Sequence, residues 1–445
     1  MTKKWQPYPT YKDSGVEWLG AIPEHWKVMP IKFALDIPIT DGPHETPELY
    51  DEGIPFISAE SIKNDRIDFD KKRGFISLEE HKRFSRKYKP QYGDVYMVKS
   101  GATTGNVARV ETEEEFNIWS PLAVLRPNKD VTTTNFLFYA MKSKPFFYSV
   151  ELSWSFGTQQ NIGMGVISNI RIVLPPLPEQ QKIAEFLDQE TSKIDKLITK
   201  KERLIELLKE KRTALISHAV TKGLNPDVPM KDSGVEWLGK IPEHWELRHL
   251  RRIVKKFVDY RGATPEKVSN GIPLITARNI KNAAIDFSLS QEFIKEEDYD
   301  NWMVRGFPEK GDVVVTTEAP LGESAQIIDT NIALAQRVIL LKAQKNKITN
   351  EYLKYHFVST FGQGELWSKG TGSTAIGIKA SHFKGTLVLV PRLEEQQKIA
   401  QFLDRETGKI DNLITKTRTS IDHLKEYRTA LISAAVTGKI DVREH

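Results

Sequence analysis

The sequence predicts an α+β fold in which two homologous α+β domains are separated by two long helices that form an antiparallel coiled coil, as a pseudo-two-fold repeat. Two observations lead to this prediction: long segments of the chain occur twice, and in both halves strand-like segments are followed by an extended heptad pattern. A chain of 445 residues has room for about two to four domains. A single compact domain is therefore not expected.

Three segments of the chain recur as near-copies, which differ at one position in fifteen, four in twenty-two and one in ten. The first pair is offset by 219 residues and the other two by 216, so the blocks between the copies have nearly equal lengths. The pairs are residues 12–26 with 231–245, 179–200 with 395–416, and 212–221 with 428–437. These repeats indicate one scaffold that carries two versions of one domain, which differ in sequence between the repeated segments.

The repeats divide the chain into six segments, and each variable block has the length of an ordinary single domain. The segments are a repeated N-terminal segment (1–26), a first variable domain (27–177), a first conserved helix (178–222), a linker with the second copy of the N-terminal segment (223–245), a second variable domain (246–393) and a second conserved helix (394–445).

The two conserved helices show an interrupted heptad of apolar residues. Pro178 suits a first helical turn and Gly223 a helix end, so each helix should run roughly forty residues, or about 60 Å. We expect the two seams to bury each other, although each helix packing on its own domain is the alternative. The predicted seam residues are Ile183, Leu187, Ile194, Leu197, Leu204, Leu208 and Leu215, and Ile399, Leu403, Ile410, Leu413, Leu424 and Leu431.

The variable blocks contain short segments rich in β-branched residues and bounded by Gly, Pro, Asn or Asp, as strands are. Helical stretches at 135–143 and 350–358 lie between them, so the pattern favours an α+β domain over alternating parallel units. The predicted strands are IPFIS, DVYMV and IRIVLPP in the first block, and IPLIT, DVVVTT and TLVLVP in the second.

Composition limits the function classes. The chain has no cysteine, which excludes disulfides and thiolate zinc sites, and its net charge of +5 is only mildly basic. No stretch reaches the roughly 18 apolar residues that a membrane span needs, and the N-terminal residues lack the apolar run of a secretion signal. We therefore expect a cytoplasmic protein that does not enter a membrane.

The sequence offers no catalytic centre and no metal site. The nearest approach to a phosphate-binding loop, Gly372 to Gly377, is followed by Ile378 where lysine is required. The ten histidines are scattered, and the His25 and His244 of the repeated Glu-His-Trp are expected to be structural. Duplication points the same way, because a single catalytic centre would not need both copies.

Loops that differ between otherwise matched domains are where we expect specificity, and their residue types suit contacts with DNA bases. Amides of Asn and Gln pair with adenine, Lys and Arg pair with guanine, and hydroxyls pair with either. Ordinary solvated turns are the alternative. The candidate DNA-binding residues are Lys99, Ser100, Thr103, Thr104, Asn106, Thr158, Gln159, Gln160 and Asn161 in the first domain, and Arg278, Asn279, Thr316, Thr317, Glu318, Ser373 and Thr374 in the second.

The double Glu-Gln-Gln-Lys-Ile-Ala-x-Phe-Leu-Asp segment follows Pro-rich strand ends, and both variable halves carry Gly-Asp-Val and Ile-Lys-Asn patches. Over essentially its whole length the chain thereby resembles the specificity subunits of type I restriction-modification enzymes. The resemblance implies double-stranded DNA as ligand and two methyltransferase subunits and motor-nuclease subunits as partners. It also implies that the chain holds no cofactor, because S-adenosylmethionine, ATP and Mg²⁺ belong to those partners.

In the picture that this resemblance implies, each variable domain is a target-recognition domain that reads one half of a bipartite, asymmetric target, and the helices set the gap. Two other classes of protein remain open. A single-chain nuclease or methyltransferase would cut or methylate DNA when purified alone. A coiled-coil scaffold that binds only proteins would show no steep loss of DNA affinity with rising salt.

Overall fold

A computed structural model describes residues 5–152, 161–260, 264–372 and 376–444. The chain forms two compact units, of which unit 1 comprises Met1–Lys201 with Thr419–His445, and unit 2 comprises Glu202–Arg418. The units do not follow the six segments expected from the repeats, because each long helix contributes one part to unit 1 and another to unit 2.

Unit 1 is a mixed assembly of short strands and helices. Its strands are β1 (Tyr11–Asp13), β2 (Ala21–Pro23), β3 (Lys27–Pro30), β4 (Thr40–Asp41), β5 (Ile54–Ile57), β6 (Ile62–Lys63), β7 (Arg66–Ile67), β8 (Gly74–Ile76), β9 (Val95–Val98), β10 (Val107–Arg109), β11 (Asn117–Ile118), β12 (Leu122–Leu125) and β13 (Arg171–Leu174). Its α-helices are α1 (Leu78–Ser85), α2 (Thr134–Met141), α3 (Lys144–Leu152), α4 (Met164–Asn169) and the first part of α5 (Leu177–Lys222).

The central sheet of unit 1 is antiparallel, in the order β10-β9-β12-β4. A second sheet, β11-β5-β8, is mixed, because β11 runs parallel to β5 and β8 antiparallel to it. All four residues of β9 and of β12 are buried, so both faces of this sheet are covered by apolar packing. The strands that the sequence predicted at IPFIS, DVYMV and IRIVLPP are β5, β9 and β13.

Unit 2 repeats this construction. Its strands are β14 (Met230–Asp232), β15 (Lys240–Pro242), β16 (Glu246–His249), β17 (Val254–Asp259), β18 (Ile272–Ile275), β19 (Ile280–Lys281), β20 (Ala284–Ile285), β21 (Phe293–Ile294), β22 (Val313–Thr317), β23 (Leu321–Gln326), β24 (Ala333–Leu334), β25 (Val338–Ala343) and β26 (Leu387–Val390). Its α-helices are α6 (Tyr299–Trp302), α7 (Asn350–Val358), α8 (Thr360–Trp367), α9 (Ala380–Lys384) and the first part of α10 (Leu393–Val436).

The sheets of unit 2 have the same topology as those of unit 1. The antiparallel sheet has the order β17-β25-β22-β23, and the mixed sheet, β21-β18-β24, pairs β24 parallel and β21 antiparallel to β18. The predicted strands IPLIT, DVVVTT and TLVLVP are β18, β22 and β26, and the predicted helix 350–358 is α7. The two variable domains are therefore two copies of one α+β fold, as the sequence predicted.

Helices α5 and α10 have 46 and 44 residues. Gly223 follows α5 with a φ of +80°, and Gly438 follows soon after α10 with a φ of +70°, so glycine provides the left-handed conformation that ends both helices. In unit 2, Arg212 on α5 pairs with Asp411 on α10. Just past the end of α5, a Cβ at Gly223 would lie 3.3 Å from Oε1 of Glu395, near the start of α10. The two helices thus run antiparallel within this unit.

The helices bury much of their predicted seam, and they also pack on the domains. In unit 1 the start of α5 and the end of α10 share one hydrophobic core with the strands and with α2. Both predicted modes of packing, helix on helix and helix on domain, are therefore present. The seam residues that are buried are Ile183, Leu187, Ile194, Leu208, Ile399, Leu403, Ile410 and Leu431, and Leu215 and Leu424 are partly buried.

The prediction is wrong for three seam residues. Leu197, Leu204 and Leu413 are 43%, 40% and 45% exposed, so they do not lie in the seam. The isoleucine after each leucine is the one that turns inward, as Ile205 does at 8% exposure. Thr191, which is buried and donates its hydroxyl to the Leu187 carbonyl at 2.6 Å, holds the seam position between two apolar ones. Because this seam residue is polar, the heptad pattern of apolar residues does not show which positions face inward. Where a leucine and an isoleucine are adjacent, the pattern does not show which of the two is buried.

Candidate nucleic-acid interface

Two divergent loops of unit 1 meet at one end of its antiparallel sheet. The loop after β9 approaches the segment before α4, where Ser100 and Asn161 form an isolated antiparallel bridge. Nearby, the amide of Ile162 donates to the carbonyl of Lys99 at 2.8 Å. Backbone hydrogen bonds therefore bring together two loops that the sequence predicted separately.

A third and a fourth segment join these loops. The amide of Lys99 donates to the carbonyl of Pro121 at 2.8 Å, and the amide of Ser120 donates to the carbonyl of Pro43 at 3.2 Å. We call the resulting group of segments, 41–45, 99–106, 119–121 and 161–163, loop cluster 1. It gathers polar and cationic side chains around the end of the sheet.

Unit 2 repeats the same junction with other side chains. Glu318, just after β22, bridges to Gly377, and the amide of Ile378 donates to the carbonyl of Thr317 at 3.0 Å. The amide of Thr317 in turn donates to the carbonyl of Arg337 at 2.9 Å. We call the segments 317–318, 337, 370–372 and 376–378 loop cluster 2. The backbone frame is shared between the two clusters, whereas the side chains differ.

The charges of loop cluster 1 are organised by Asp41, which is fully buried at the end of β4. Its carboxylate pairs with Nζ of Lys87 at 2.5 Å and lies 3.3 Å from Nζ of Lys99 and 3.1 Å from Nε2 of His44. Lys99 is mostly covered, with 12% of its side chain exposed. This lysine is therefore held by an internal carboxylate, and most of its side chain is withdrawn from solvent.

Apart from Lys99, six described members of the candidate set keep exposed or partly exposed side chains, and all of them except Arg278, which lies in a 3-10 turn at 277–279, belong to the loop clusters. Thr103, Asn106, Asn161 and Arg278 are exposed, Ser100 is half-buried, and the side chain of Glu318 is 40% exposed. Glu318 lies 3.9 Å from Nε of Arg337, whose side chain is 55% exposed. The candidates Thr158, Gln159, Gln160, Ser373 and Thr374 lie outside the described residues.

Asn279 is a correction to the candidate set, because it is fully buried and its amide is fully used inside the domain. Its Oδ1 accepts from the amide of Thr276, and its Nδ2 donates to the carbonyls of Asp286 and Ser290. In this way Asn279 closes a capping box, as Ser61 does in unit 1. The sequence difference between the two domains at this place is therefore structural.

Three threonines of the candidate set are also buried and bonded internally. The hydroxyl of Thr316 accepts from the amide of Glu323 at 3.0 Å, and that of Thr317 donates to the carbonyl of Arg337 at 3.2 Å. The hydroxyl of Thr104 donates to the carbonyl of Gly101 at 2.6 Å. Their side chains satisfy the polar groups of the turns, so they shape the loops and do not present themselves for base contacts.

Sequence reasoning did not single out Trp119, which lies within loop cluster 1. The guanidinium of Arg73 lies 4.2 Å from the centre of its ring and pairs with Oε1 of Glu60 at 2.7 Å. Burial acts to raise the pKa of Glu60, but the hydrogen bonds that its carboxylate accepts and the charge of Arg73 together outweigh burial, and the pKa is lowered. The only sequence signal for this stack is the basic run Lys71-Lys72-Arg73, which does not reveal an aromatic partner.

Within the described ranges, the side chains form no group of three or more His, Asp or Glu residues arranged to hold a metal ion. In the same ranges, no helix combines the length and apolar character needed to cross a membrane.

The fold and the loop clusters define a protein made of two copies of one α+β domain, each with its own set of surface loops and a long conserved helix. The family model described as the type I restriction modification DNA specificity domain matches the chain twice, over residues 23–207 and 242–423. The chain therefore belongs to the family of type I restriction-modification specificity subunits.

Named relatives agree with this assignment. The chain is 26% identical over 442 residues to the putative type I restriction enzyme MjaX specificity subunit of Methanocaldococcus jannaschii, with 96% of each protein covered. It is 30% identical over 314 residues to the MjaVIII specificity subunit of the same organism, covering 67% of this chain and 70% of the relative.

Solved structures show the same fold. A chain from a study of complex assembly and conformational transition in a type I restriction-modification system aligns with a TM-score of 0.69 at 14% identity, covering 93% of this chain and 98% of that one. The HsdS subunit of Thermoanaerobacter tengcongensis aligns with a TM-score of 0.51 at 16% identity, covering 94% and 98%.

Proposed function

We propose that this chain is the sequence-specific DNA-binding specificity subunit of a type I restriction-modification complex, and that each variable domain reads one half of a bipartite, asymmetric target. One observation carries the proposal: loop clusters 1 and 2 are built on the same backbone junction with different side chains. Two domains of the same fold that carry different loops are suited to recognise two half-sites of different sequence.

The chemistry of the exposed loop residues supports reading by hydrogen bonds in the major groove. Cluster 1 presents Ser100 and the amide of Asn161, a group that pairs bidentately with adenine. Cluster 2 presents the carboxylate of Glu318, which accepts from the amino group of cytosine, and the guanidinium of Arg337, which pairs with guanine. The two domains therefore differ in the type of base edge that they fit.

The conserved helices set the spacing between the half-sites and dock two methyltransferase subunits. Their nearly equal lengths of 46 and 44 residues, and their near-identical sequences in the repeated segments, support equivalent docking of a partner that is present twice. Each helix is about 60 to 70 Å long, the scale of about 20 base pairs.

The chain itself is non-catalytic in this proposal. The methyltransferase subunits bring S-adenosylmethionine, and motor-nuclease subunits bring ATP and Mg²⁺, so that the chain binds none of these groups. The relatives named above are specificity subunits of type I enzymes, which supports this division of labour. The complex would then act on DNA in the cytoplasm.

Mapping of methylated adenines tests the proposal. Cells that carry this chain together with its methyltransferase subunit should methylate a motif with two unlike halves and a fixed gap, and cells that carry either subunit alone should methylate nothing. A continuous or perfectly palindromic motif would contradict it. Cleavage or methylation of DNA by the purified chain alone, supplied with Mg²⁺ or S-adenosylmethionine, would instead favour a single-chain enzyme.

A further inference from the structure

The Ile-Lys-Asn patch that both domains share forms a tight hairpin whose turn touches a long helix. In unit 1 strands β6 and β7 are joined by Asn64 and Asp65, which have φ values of 50° and 68°. In unit 2 strands β19 and β20 are joined by Asn282 and Ala283, with φ values of 54° and 63°. Two successive left-handed residues are typical of the primed turns that connect two strands directly.

In unit 1 the turn is held by Arg428 of α10. Its Nη2 donates to Oδ2 of Asp65 at 2.8 Å, and its Nε donates to Oδ1 of Asp195 on α5 at 2.9 Å. Lys142, which follows α2, pairs with the other oxygen of Asp65. The arginine side chain is only 17% exposed, so one guanidinium joins the hairpin turn to both helices in a largely covered place.

This cluster is charged as well as covered. Burial lowers the pKa of Lys142, against the opposing effect of Asp65. Burial also acts to lower the pKa of Arg428, but the carboxylates of Asp65 and Asp195 outweigh it, and the pKa is raised. Covered ion pairs depend strongly on both partners, because removing one leaves the other charge without compensation.

In unit 2 the equivalent arginine, Arg212 of α5, makes the same connection without a carboxylate on the turn. Its Nε donates to Oδ1 of Asp411 on α10 at 3.0 Å, and its Nη2 donates to the backbone carbonyl of Asn282 at 3.2 Å. The position of Asp65 is taken by Ala283. The amide of Asn282 donates to Oε2 of Glu323 at 3.2 Å.

The difference between the turns extends to a second residue. Val358 stands 216 residues after Lys142, the offset that also relates Thr133 and Thr349, the N-caps of α2 and α7. An Asp–Lys pair in one domain is thus replaced by Ala and Val in the other. Two changes that remove both charges together keep the electrostatic balance of this largely covered site.

The hairpin is also connected to the loops at the proposed DNA interface. The amide Nδ2 of Asn106, at the end of the loop after β9, donates to the carbonyl of Ile62 in β6 at 3.4 Å. A continuous set of contacts therefore runs from loop cluster 1 through the hairpin to Arg428. Movement of the hairpin on the helices would move the loop cluster with it.

We infer that Arg428 and Arg212 are positioning residues for target recognition, each clamping the hairpin of its own unit to the long helices. Arg428 contacts its turn through an ion pair with Asp65, whereas Arg212 contacts its turn through a backbone carbonyl. This inference rests on the proposed function, because it assigns the clamps the task of holding the reading loops in place.

Hydrogen exchange of the full chain without DNA tests the clamp itself. Amides of residues 62–67 should exchange about five-fold faster when salt rises from about 0.1 to about 1 M, which shortens the screening length from about 10 to about 3 Å. Amides of residues 280–285 should change less, because Arg212 contacts this turn through a backbone carbonyl and not through a carboxylate. Asp65→Asn, which keeps the shape and the turn preference, should make the first hairpin fast at both salt concentrations. Ala283→Asp, the reciprocal change beside Arg212, should give the second hairpin a new salt dependence.

Equal exchange in wild type and Asp65→Asn at both salt concentrations would overturn the clamp.

DNA binding by the complete methylating complex tests whether the clamp supports target recognition. Asp65→Asn should weaken affinity for the target about five-fold while both half-sites keep their sequences. A changed half-site would make Asp65 a base-reading residue and overturn the positioning role. Failure of the wild-type complex to methylate any bipartite motif would contradict the proposed function and leave the exchange result standing.

Discussion

Oε2 of Glu179 lies 2.8 Å from Nε2 of His25 at the start of helix α5. The other oxygen of the same carboxylate accepts from the hydroxyl of Tyr8 at 2.5 Å and from the indole N–H of Trp26 at 3.1 Å. Burial, together with this carboxylate, raises the pKa of Tyr8. Glu179 thus satisfies three side chains: His25 and Trp26 of the repeat 12–26, and Tyr8, which precedes the repeat. Glu179 itself is 7% exposed.

The copy in unit 2 keeps only part of this arrangement. Glu395 pairs with His244 at the same distance of 2.8 Å and is 27% exposed. The indole nitrogen of Trp245 is buried and has no hydrogen-bond partner among the described residues. The two near-identical segments therefore differ in how much of their stability depends on the glutamate.

We expect Glu179→Ala to destabilise unit 1 by about 2 to 3 kcal/mol, because it leaves the buried Tyr8 hydroxyl and Trp26 indole without an acceptor. Glu395→Ala should cost unit 2 less than about 1 kcal/mol, since it breaks one half-exposed pair. Denaturant-dependent hydrogen exchange of the full chain, followed in peptides of each unit, measures both. Equal losses in the two units would contradict the assigned roles.

The corrected helix seam gives a second matched pair of variants. Ile205→Ala should destabilise the chain by about 2 to 4 kcal/mol, because the isoleucine is buried, and Leu204→Ala should cost less than about 1 kcal/mol, because this leucine is 40% exposed. Chemical denaturation of the two variants under one set of conditions compares them. A larger loss of stability for Leu204→Ala than for Ile205→Ala would mean that Leu204 is the seam residue, as the sequence predicted.

The sequence was sufficient to predict the fold class, because the repeats and the short apolar strands report on local chemistry and on duplication. It misplaced part of the seam because Thr191 is a polar residue in a buried row, and its hydroxyl is satisfied within its own helix. It also did not reveal that the end of α10 belongs to the core of unit 1, since that contact joins parts of the chain with no pattern in common.

The candidate site was predictable as a set of loops and not as a set of side chains. Divergence between the two domains located the loops that meet at Ser100 and Glu318. It could not separate exposed residues from those that hold a turn together, because both kinds diverge. Asn279 is the clearest case. Its amide is of a type suited to base contacts, but it forms hydrogen bonds with four atoms of its own domain.

Acidification should weaken unit 2 through His356. Burial lowers the pKa of this ring from 6.5 to about 4. The native state therefore keeps it neutral while the unfolded chain binds a proton, so stability is unaffected above about pH 6.5 and falls as the pH drops towards 4, by about 2 kcal/mol at about pH 5.

Unit 1 has Ala140 at the corresponding position, 216 residues earlier, and serves as an internal control. His356→Leu should remove this part of the pH dependence of unit 2 and leave unit 1 unchanged. Denaturant-dependent exchange at about pH 7 and about pH 5 measures both units in one sample. An equal pH dependence of unit 2 in wild type and variant would show that other groups cause it.

Specificity should change in one half-site at a time. Glu318→Gln in loop cluster 2 replaces an acceptor-only carboxylate by an amide, and we expect a loss of about 1 to 3 kcal/mol of discrimination at one base pair of one half-site. Asn161→Ala in loop cluster 1 should relax the other half. Methylation profiles of both variants, with the methyltransferase supplied, identify the affected positions. Simultaneous changes in both halves would contradict independent readers.

Helix length should control the gap. Removing the equivalent heptads 198–204 and 414–420 shortens each helix by about 10 Å, which corresponds to about three base pairs. The mapped motif should therefore keep both half-sites and change its gap by up to that number, or binding should be lost. Full methylation of a motif with the original gap would exclude a ruler role for the helices.

The junction at the heart of each loop cluster is made by main-chain atoms, as in the hydrogen bond from the Ile162 amide to the Lys99 carbonyl and its counterpart from Ile378 to Thr317. Peptide groups are present whatever side chains they carry, so replacing the residues around them places little demand on folding. If these loops read DNA as proposed, residues that contact the bases can be substituted while the main-chain junction that supports them stays intact. A new target could then arise by mutation of the loops without compensating changes in the rest of the domain.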